Sequence, residues 1–247
     1  MSSLRLLRCG AGLSILLLAC ALATSSRAGE ELDADNFRPV LSRDLRAGRT
    51  VVLHFYAAEV PESRDPLPKL RKIVRRSGGK GALHAVNAGE NPGISAAYGV
   101  RYAPTTFLIR PGEGIVRAFV IDLDYAQVKK LISGKSRRLP GVESIAGAIA
   151  ARKPSLVFFM ADWCSYCRVL IPEVDRFKSS FGGAVVVRSI NVDKNQRLSD
   201  EYLVSGVPQI VLMDPSGVLL DRLSFPAGYD DYLEAFRSLG IKLGKSG

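Results

Sequence analysis

The chain has 247 residues, of which 47% are apolar and 23% charged, with 34 basic and 24 acidic side chains. This length suits one large domain or two of ordinary size. The composition excludes a collagen-like or mostly disordered chain, and four cysteines are too few for a disulfide scaffold. The net charge of +10 leaves nucleic acid or an anionic membrane open as a partner until its distribution is known.

Residues 1–28 have the pattern of an export signal. Arg5 and Arg8 precede an uncharged run whose apolar centre, Leu13–Ala23, is shorter than the ~20 residues of a membrane span. Small residues allow cleavage after Ala23 or Ala28. The prediction is therefore a cleaved signal peptide and a mature chain outside the cytoplasm.

Two alternatives for this segment also place the chain outside the cytoplasm. Leu17–Cys20 resembles a lipobox, so cleavage before Cys20 and its acylation would hold the protein on a membrane. The other alternative is that residues 1–28 remain as an uncleaved membrane anchor.

Removing residues 1–28 takes away three basic side chains and no acid, which lowers the net charge to +7. It leaves Cys164 and Cys167 as the remaining cysteines.

An internal repeat organises the rest of the chain. Shifted by 104 residues, Val52–Val116 aligns with Leu156–Leu220 without a gap and with fourteen identical positions. A period this long indicates a duplicated domain rather than a solenoid. The predicted domains are residues 29–134 and 141–247, joined by a polar linker at 135–140.

Each half has the same predicted succession of elements. Apolar runs bounded by turn residues predict strands, and longer periodic stretches predict helices. The predicted strands of the two halves are Thr50–Tyr56, Ala82–Asn87, Thr105–Ile109 and Ile115–Val120, then Ser155–Met160, Ala184–Asn191, Gln209–Met213 and Val218–Ser224. The predicted helices are Pro66–Arg76, Pro92–Tyr98 and Tyr125–Ile132, then Cys164–Phe181, Arg197–Leu203 and Tyr229–Leu239. This alternation predicts an α/β fold with a central mixed sheet flanked by helices in each half.

The second half carries a cysteine pair at the junction of a strand and a helix. The strand Ser155–Met160 runs into Cys164-Ser165-Tyr166-Cys167. Two cysteines three residues apart in a first helical turn can reach disulfide geometry. Cys164 faces unpaired N–H groups and the positive end of the helix dipole, which favours the nucleophilic thiolate. We therefore predict that Cys164 attacks and Cys167 resolves the mixed disulfide.

Other uses of the pair fit less well. A structural zinc site needs about four ligands, and the processed chain offers two cysteines plus His54 and His84 of the other half. A metal or cluster shared between two chains is one alternative. A purely structural disulfide would close almost no loop and so add little stability. Thiol–disulfide exchange is favoured, with no metal and no cofactor beyond the Cys164–Cys167 disulfide.

Four motifs together resemble the thioredoxin superfamily over roughly residues 36–240: Trp163-Cys164-x-x-Cys167, Pro172, Asn191-Val192-Asp193 and Gly206-Val207-Pro208. The resemblance implies that Pro208 is a cis-proline facing the cysteine pair. It also implies that the Val207 backbone binds the substrate chain as an extra strand. Trp163 would shield the pair, with Asp162, Ser165, Tyr166 and Pro172 supporting the site.

Two departures from the family pattern concern proton transfer. Phe158 stands where thioredoxins usually bury an aspartate, and Ser189 stands near a position where a lysine is common. Proton transfer must then use another route, water or Asp162. Ser165-Tyr166 resembles the dipeptide of periplasmic disulfide isomerases and glutaredoxins, and such dipeptides tune the potential. We expect a potential on the reducing or intermediate side.

The first half has no thiol at the equivalent positions. Glu59, Val60 and Ser63 replace Trp163, Cys164 and Cys167. Two interpretations are open: a scaffold that positions the active domain, or a client-binding module like the non-catalytic domains of protein disulfide isomerase. The two histidines, His54 and His84, are predicted to be packed or surface residues rather than catalysts.

The charge is concentrated in this thiol-free half. Residues 29–137 hold 18 basic and 12 acidic side chains, +6, whereas residues 138–247 hold 13 and 12, +1. Six of the basic residues lie in the segment Lys69–Lys80. A solvated helix face is the ordinary explanation, and docking to anionic lipid or an acidic partner is the alternative. Nucleic acid is not a predicted partner, because the chain has no readout motif.

The sequence thus predicts an exported, periplasmic or extracytoplasmic thiol–disulfide oxidoreductase that reduces or isomerises protein substrates. It would need an upstream electron donor or acceptor. The alternative is a non-enzymatic scaffold or client-binding protein whose cysteine pair is a redox-labile clasp.

Overall fold

The computed structural model describes residues 29–134, 142–181 and 183–243. The predicted export signal with its cleavage sites, the acylated Cys20 and the linker 135–140 lie outside the described residues. Within the described ranges, no helix combines the length and apolar character that a membrane crossing needs.

The first domain is a five-stranded mixed sheet with two helices on each face. Its strands are β1 (Glu30–Glu31), β2 (Thr50–Tyr56), β3 (Gly81–Asn87), β4 (Thr105–Arg110) and β5 (Gly114–Val120), in the order β1-β3-β2-β4-β5. Its helices are α1 (Phe37–Arg46), α2 (Pro66–Arg75), α3 (Pro92–Tyr98) and α4 (Tyr125–Ile132). β3 runs parallel to β1 and β2, while β4 and β5 are antiparallel to their neighbours.

The second domain repeats this arrangement with four strands. Its strands are β6 (Ser155–Met160), β7 (Val186–Asn191), β8 (Gln209–Met213) and β9 (Leu219–Ser224), in the order β7-β6-β8-β9. Its helices are α5 (Val142–Ala150), α6 (Ser165–Phe181), α7 (Gln196–Glu201) and α8 (Tyr229–Ser238). The strand register also repeats: Phe55 pairs with Thr105, and Phe159, 104 residues on, pairs with Gln209.

The predicted α/β fold with two mixed sheets is confirmed, but two helices were missed. Neither α1 nor α5 was predicted, although α1 buries Phe37, Val40, Leu41 and Leu45 along one face. That spacing of i, i+3, i+4 and i+8 is a helical signal. These two helices lie between the sheets, where they complete a core shared by both domains.

The domains pack face to face about an approximate two-fold axis. α3 of the first domain packs on β9 of the second, and α7 packs in the same way on β5. Arg101 and Ser205, which are equivalent positions, meet each other: the Arg101 guanidinium donates to the Ser205 hydroxyl at 2.8 Å. Since these residues lie just before Pro104 and Pro208, the two proline loops adjoin at one end of the molecule.

Buried polar contacts join the two domains. The Glu201 carboxylate accepts hydrogen bonds from the Ala118 N–H and, at 2.8 Å, from Arg117. Burial raises the pKa of Glu201, although these bonds act in the opposite direction. Arg222 donates across the interface to the Ala97 carbonyl at 3.1 Å and within its own domain to the Tyr202 carbonyl at 2.7 Å. Burial lowers the pKa of Arg222 to about 10.

One glycine allows the closest approach at this interface. Gly114 has a φ of 77°, a backbone angle that residues with a side chain rarely adopt. A Cβ at this position would lie 2.5 Å from the Tyr202 hydroxyl. That hydroxyl in turn accepts a hydrogen bond from the buried Ile115 N–H at 3.3 Å. The outer faces of the two sheets are covered separately, by α2 and α4 in the first domain and by α6 and α8 in the second.

Candidate functional site

The cysteine pair lies where β6 gives way to α6. Cys164 and Cys167 form a disulfide with their Cα atoms 5.2 Å apart. The backbone N–H of Cys167 donates to the Cys164 sulfur at 3.0 Å. Cys164 is 4% exposed, while Cys167 is fully buried. Cys164 is therefore the sulfur that an incoming group can reach, and a first-turn N–H already points at it.

The surroundings of the disulfide are apolar. Phe158, at 1% exposure, belongs to the same buried cluster as both cysteines, together with Leu170 and Ile210. Asp162 does not enter this cluster, because its carboxylate is exposed and pairs with Lys194 at 3.5 Å. Ser189 is exposed on β7. Asp162, the side chain that the sequence offered for proton transfer, thus lies at the surface.

Four exposed apolar side chains surround the cysteines, and we call them the thiol-site collar: Trp163, Tyr166, Val169 and Phe225. Trp163 is 67% exposed and donates from Nε1 to Asp193 at 2.9 Å. Tyr166 packs against Phe225 with ring centroids 4.7 Å apart. Ser165 and Pro172 occupy exposed positions of α6. Sequence reasoning missed Phe225, whose only local signal is the proline that follows it.

The Val207–Pro208 peptide bond is cis, as the family resemblance implies. Val207 is partly exposed, and among the described residues neither its N–H nor its carbonyl has a hydrogen-bond partner. Free main-chain N–H and carbonyl groups are what the addition of an extended peptide as a strand requires.

The equivalent place in the first domain keeps the backbone but not the sulfurs. Ala103–Pro104 is also cis. Ser63, at the position of Cys167, is buried, and its hydroxyl accepts from the Ala57 N–H at 3.0 Å. His54, at the position of Phe158, contacts the Ser63 carbonyl and the Thr106 hydroxyl, both at 2.8 Å. Burial lowers the pKa of His54.

An exposed apolar group also surrounds this thiol-free position, and we call it the thiol-free patch: Val60, Tyr102, Val120 and Ile121. Ile121 corresponds to Phe225 and Val60 to Cys164. The patch and the thiol-site collar together account for all eight large hydrophobic side chains exposed in the described part of the chain. Exposed apolar side chains grouped in this way mark interaction sites rather than scattered surface residues.

Fold and site together define a thioredoxin-fold protein with a Cys-x-x-Cys disulfide at a helix start. A family model described as thioredoxin matches residues 143–223. A thioredoxin of Thiocapsa roseopersicina is 32% identical over 66 residues, which cover 27% of this chain and 72% of that protein. The chain belongs to the thioredoxin superfamily.

Two further relatives share the similarity. Protein disulfide-isomerase 2-3 of Arabidopsis thaliana is 26% identical over 226 residues, covering 80% of this chain and 51% of that protein. Thiol:disulfide interchange protein TxlA homolog of Synechocystis is 36% identical over 78 residues, covering 31% of this chain and 43% of that protein. The chain therefore spans about half the length of these relatives, and the match to the first runs through both domains.

Proposed function

We propose that the protein is a thiol–disulfide oxidoreductase that exchanges dithiol for disulfide with protein substrates through Cys164. The observation that supports this most directly is the hydrogen bond from the Cys167 N–H to the sulfur of Cys164, the less buried of the two cysteines, at 3.0 Å. A hydrogen bond from a helix N-terminal amide stabilises a thiolate more than a thiol. The names of the similar proteins point to the same chemistry.

The exchange follows from the different exposure of the two sulfurs. In the reducing direction the Cys164 thiolate attacks one sulfur of a substrate disulfide, and the other substrate sulfur leaves with the bond electrons and takes up a proton. Cys167, deprotonated, then attacks the Cys164 sulfur of the mixed disulfide. The substrate sulfur that was bonded to Cys164 leaves as a thiolate, and Cys164–Cys167 is left oxidised. Two electrons have then passed to the substrate.

Return of the enzyme to the dithiol state requires an upstream electron donor, and the opposite direction requires an acceptor. Phe158, at the position where thioredoxins bury an aspartate, is an apolar member of the cluster around Cys167. The Cys167 proton therefore has to be exchanged with water or the bound substrate, and we propose that this exchange limits the resolving step.

Substrate binding is proposed to use the main chain of Val207 and the thiol-site collar. The free N–H and carbonyl of Val207 would bond to an extended substrate segment, which positions its sulfur at Cys164. Trp163, Tyr166 and Phe225 offer apolar contact to the flanking side chains. A partly unfolded protein supplies both an extended backbone and exposed apolar residues.

The pair of variants Cys167→Ser and Cys164→Ser tests this proposal. With Cys167→Ser, the mixed disulfide between Cys164 and substrate should accumulate and be visible as a slower band on non-reducing gels. With Cys164→Ser it should not form. Full turnover by Cys164→Ser would contradict the proposal and favour the alternative, a scaffold with a redox-labile clasp.

Location and redox direction are part of the proposal. The signal-like residues 1–28 support export to the periplasm or another extracytoplasmic compartment, with Cys20 as a possible lipid anchor. We propose a potential on the reducing or intermediate side. Equilibration of the Cys164–Cys167 pair with glutathione tests this against ~−270 mV for a reducing thioredoxin and ~−120 mV for a strong oxidant. A value near the oxidant would overturn it.

The thiol-free patch favours a second candidate role, non-covalent binding of client polypeptide by the first domain. Like Val207, Ala103 is partly exposed, and its N–H and carbonyl have no partner among the described residues. Tyr102→Ser with Ile121→Ser should raise the KM for an unfolded protein disulfide several-fold. The kcat/KM for a small disulfide should stay unchanged. Equal effects on both substrates would indicate a scaffold instead.

A further inference from the structure

The outer face of the first domain holds a cleft of about 660 Å³ between α2 and α4. Five basic side chains line it, and no acidic side chain does: Lys69, Lys72, Arg76, Lys80 and Lys129. Its apolar lining includes Ile73, Ile132 and the ring of Tyr125. The volume lies in the range of about 300–1,000 Å³ that small-molecule sites occupy. This cleft has no part in the thiol chemistry.

The second domain shows that the fold does not require this cleft. At the same positions, 104 residues on, Phe177 replaces Ile73, Phe181 replaces Ser77 and Phe236 replaces Ile132. Phe177 packs against Phe181 at 5.1 Å and against Phe236 at 6.0 Å between ring centroids. These rings fill the space between α6 and α8. The cleft in the first domain therefore results from the replacement of large aromatic side chains by smaller ones.

Most of the charge of the cleft is also absent from the second domain. Lys69, Lys80 and Lys129 correspond to Glu173, Ala184 and Leu233. Arg76 corresponds to Ser180, whereas Lys72 corresponds to the basic Arg176. The Lys69 ammonium lies 3.6 Å from the centre of the Tyr125 ring. Within the part of the chain that the structure describes, the side chains of Lys72, Arg76, Lys80 and Lys129 make no ion pair or hydrogen bond. Asp65 precedes α2 but does not line the cleft.

Converging charges of one sign around a concavity concentrate counter-ions there. Ammonium groups and a guanidinium fork donate strong, short hydrogen bonds to phosphate oxygens. We propose that the cleft binds a small soluble polyanion that carries two or more phosphate or sulfate groups. Binding would offset the mutual repulsion of the five cations, which the fold otherwise leaves uncompensated.

A membrane surface fits this face less well. Peripheral membrane binding uses apolar side chains that insert beside the basic residues. The eight exposed large hydrophobic residues lie in the thiol-site collar and the thiol-free patch, and none of them lines the cleft. A concave basic cleft without an apolar rim suits a compact anion that enters it.

Calorimetric titration of the full chain with tripolyphosphate at about 0.15 M salt, where surface charges are screened beyond ~8 Å, tests the proposal. One variant removes lining charges, Lys72→Gln/Arg76→Gln/Lys129→Gln. Its control removes three charges from the same two helices outside the lining, Arg71→Gln/Arg75→Gln/Lys130→Gln. We expect the lining variant to lose at least about tenfold in affinity and the control to lose less than about twofold.

A third variant, Ser77→Phe, restores the aromatic residue of the second domain and should block the cleft without changing its charge. Unfolding midpoints check that each variant is folded. Absence of tripolyphosphate binding by the parent protein would overturn the proposal, as would equal losses in the lining and control variants. Binding to phosphatidylglycerol vesicles without binding to tripolyphosphate would assign the face to membranes and overturn it too.

Discussion

The two equivalent ends of the two domains keep one backbone and differ in chemistry. Each has a cis-proline, unpartnered main-chain groups just before it and an exposed apolar surround. In the second domain the position under the helix start is a sulfur, Cys167, packed against Phe158. In the first it is the Ser63 hydroxyl, fixed by Ala57 and set beside His54.

Under the proposed function, this difference separates binding of substrate from reaction with it. Both ends keep the backbone shape proposed to bind an extended chain, and the second-domain end alone holds the two sulfur atoms that electron transfer would use. At the thiol-free end, the hydrogen-bonded Ser63 hydroxyl occupies the position of the resolving thiol. His54 and Thr106 give it a buried polar pair where the thiol end is apolar.

The largest expected effect contrasts the two ends directly. Cys164→Ser should lower disulfide turnover at least about 10³-fold, because it removes the nucleophile. Ser63→Ala, at the first-domain position that corresponds to Cys167, should leave turnover unchanged. Reduction of a protein disulfide followed by turbidity or fluorescence measures both. A comparable loss in Ser63→Ala would mean that the thiol-free end takes part in the reaction.

The next effect concerns the joint between the domains. Arg222→Ala should cost about 2–4 kcal/mol of unfolding free energy, because it leaves the buried Ala97 and Tyr202 carbonyls without their donor. Arg101→Ala removes an exposed contact with Ser205 and should cost less than about 0.5 kcal/mol. Urea unfolding of both variants measures the difference. Similar costs would show that Arg222 is not an important contact of the interface.

A smaller effect depends on pH. Burial lowers the folded-state pKa of His54 below its ordinary value of 6.5, so folding favours the neutral ring. The contribution of the neutral His54 ring to the free energy of unfolding is therefore complete above pH 6.5 and declines as the pH falls below that value. His54→Phe, which copies the second domain, should lose less stability than the parent between pH 7.5 and pH 5.

The reciprocal change, Phe158→His, is the control for that prediction, because it should add acid sensitivity to the second domain. Urea midpoints at the two pH values provide the comparison. An unchanged pH dependence in His54→Phe would show that another group accounts for the acid sensitivity.

The smallest effect is expected at Trp163. Its indole is mostly exposed and is anchored by one hydrogen bond to Asp193. Trp163→Phe keeps an aromatic surface and loses that bond, so turnover should change less than about threefold and stability by less than about 0.5 kcal/mol. Turnover assays and unfolding curves check this. A loss near that of Cys164→Ser would place Trp163 among the reacting groups.

Local patterns in the sequence were enough for most strands and helices and for the cysteine pair, because the 104-residue repeat made each half a check on the other. They did not predict α1, although Phe37, Val40, Leu41 and Leu45 carry its spacing. They also missed Phe225, since an exposed aromatic residue after a strand has no local pattern that distinguishes it.

The packing of the two domains could not be predicted from the sequence. The pattern of apolar residues in the sequence around a buried residue such as Phe159 is the same whether that residue faces a helix of its own domain or the neighbouring sheet. The contacts that decide this, such as Ser42 with Asp214 at 2.7 Å, join residues far apart in the chain. The cleft between α2 and α4 was likewise hidden, because the basic residues of Lys69–Lys80 also fit a solvated helix face.

Because the two sheets share one core, the stability of the domain that carries the thiols depends on residues of the other domain. Phe55 and Phe107 of the first domain belong to the same apolar cluster as Phe159 and Val211 of the second. The two halves should therefore melt as one cooperative unit rather than in succession. In a cell, a change in the thiol-free half can lower the amount of active protein through degradation, with every catalytic atom intact.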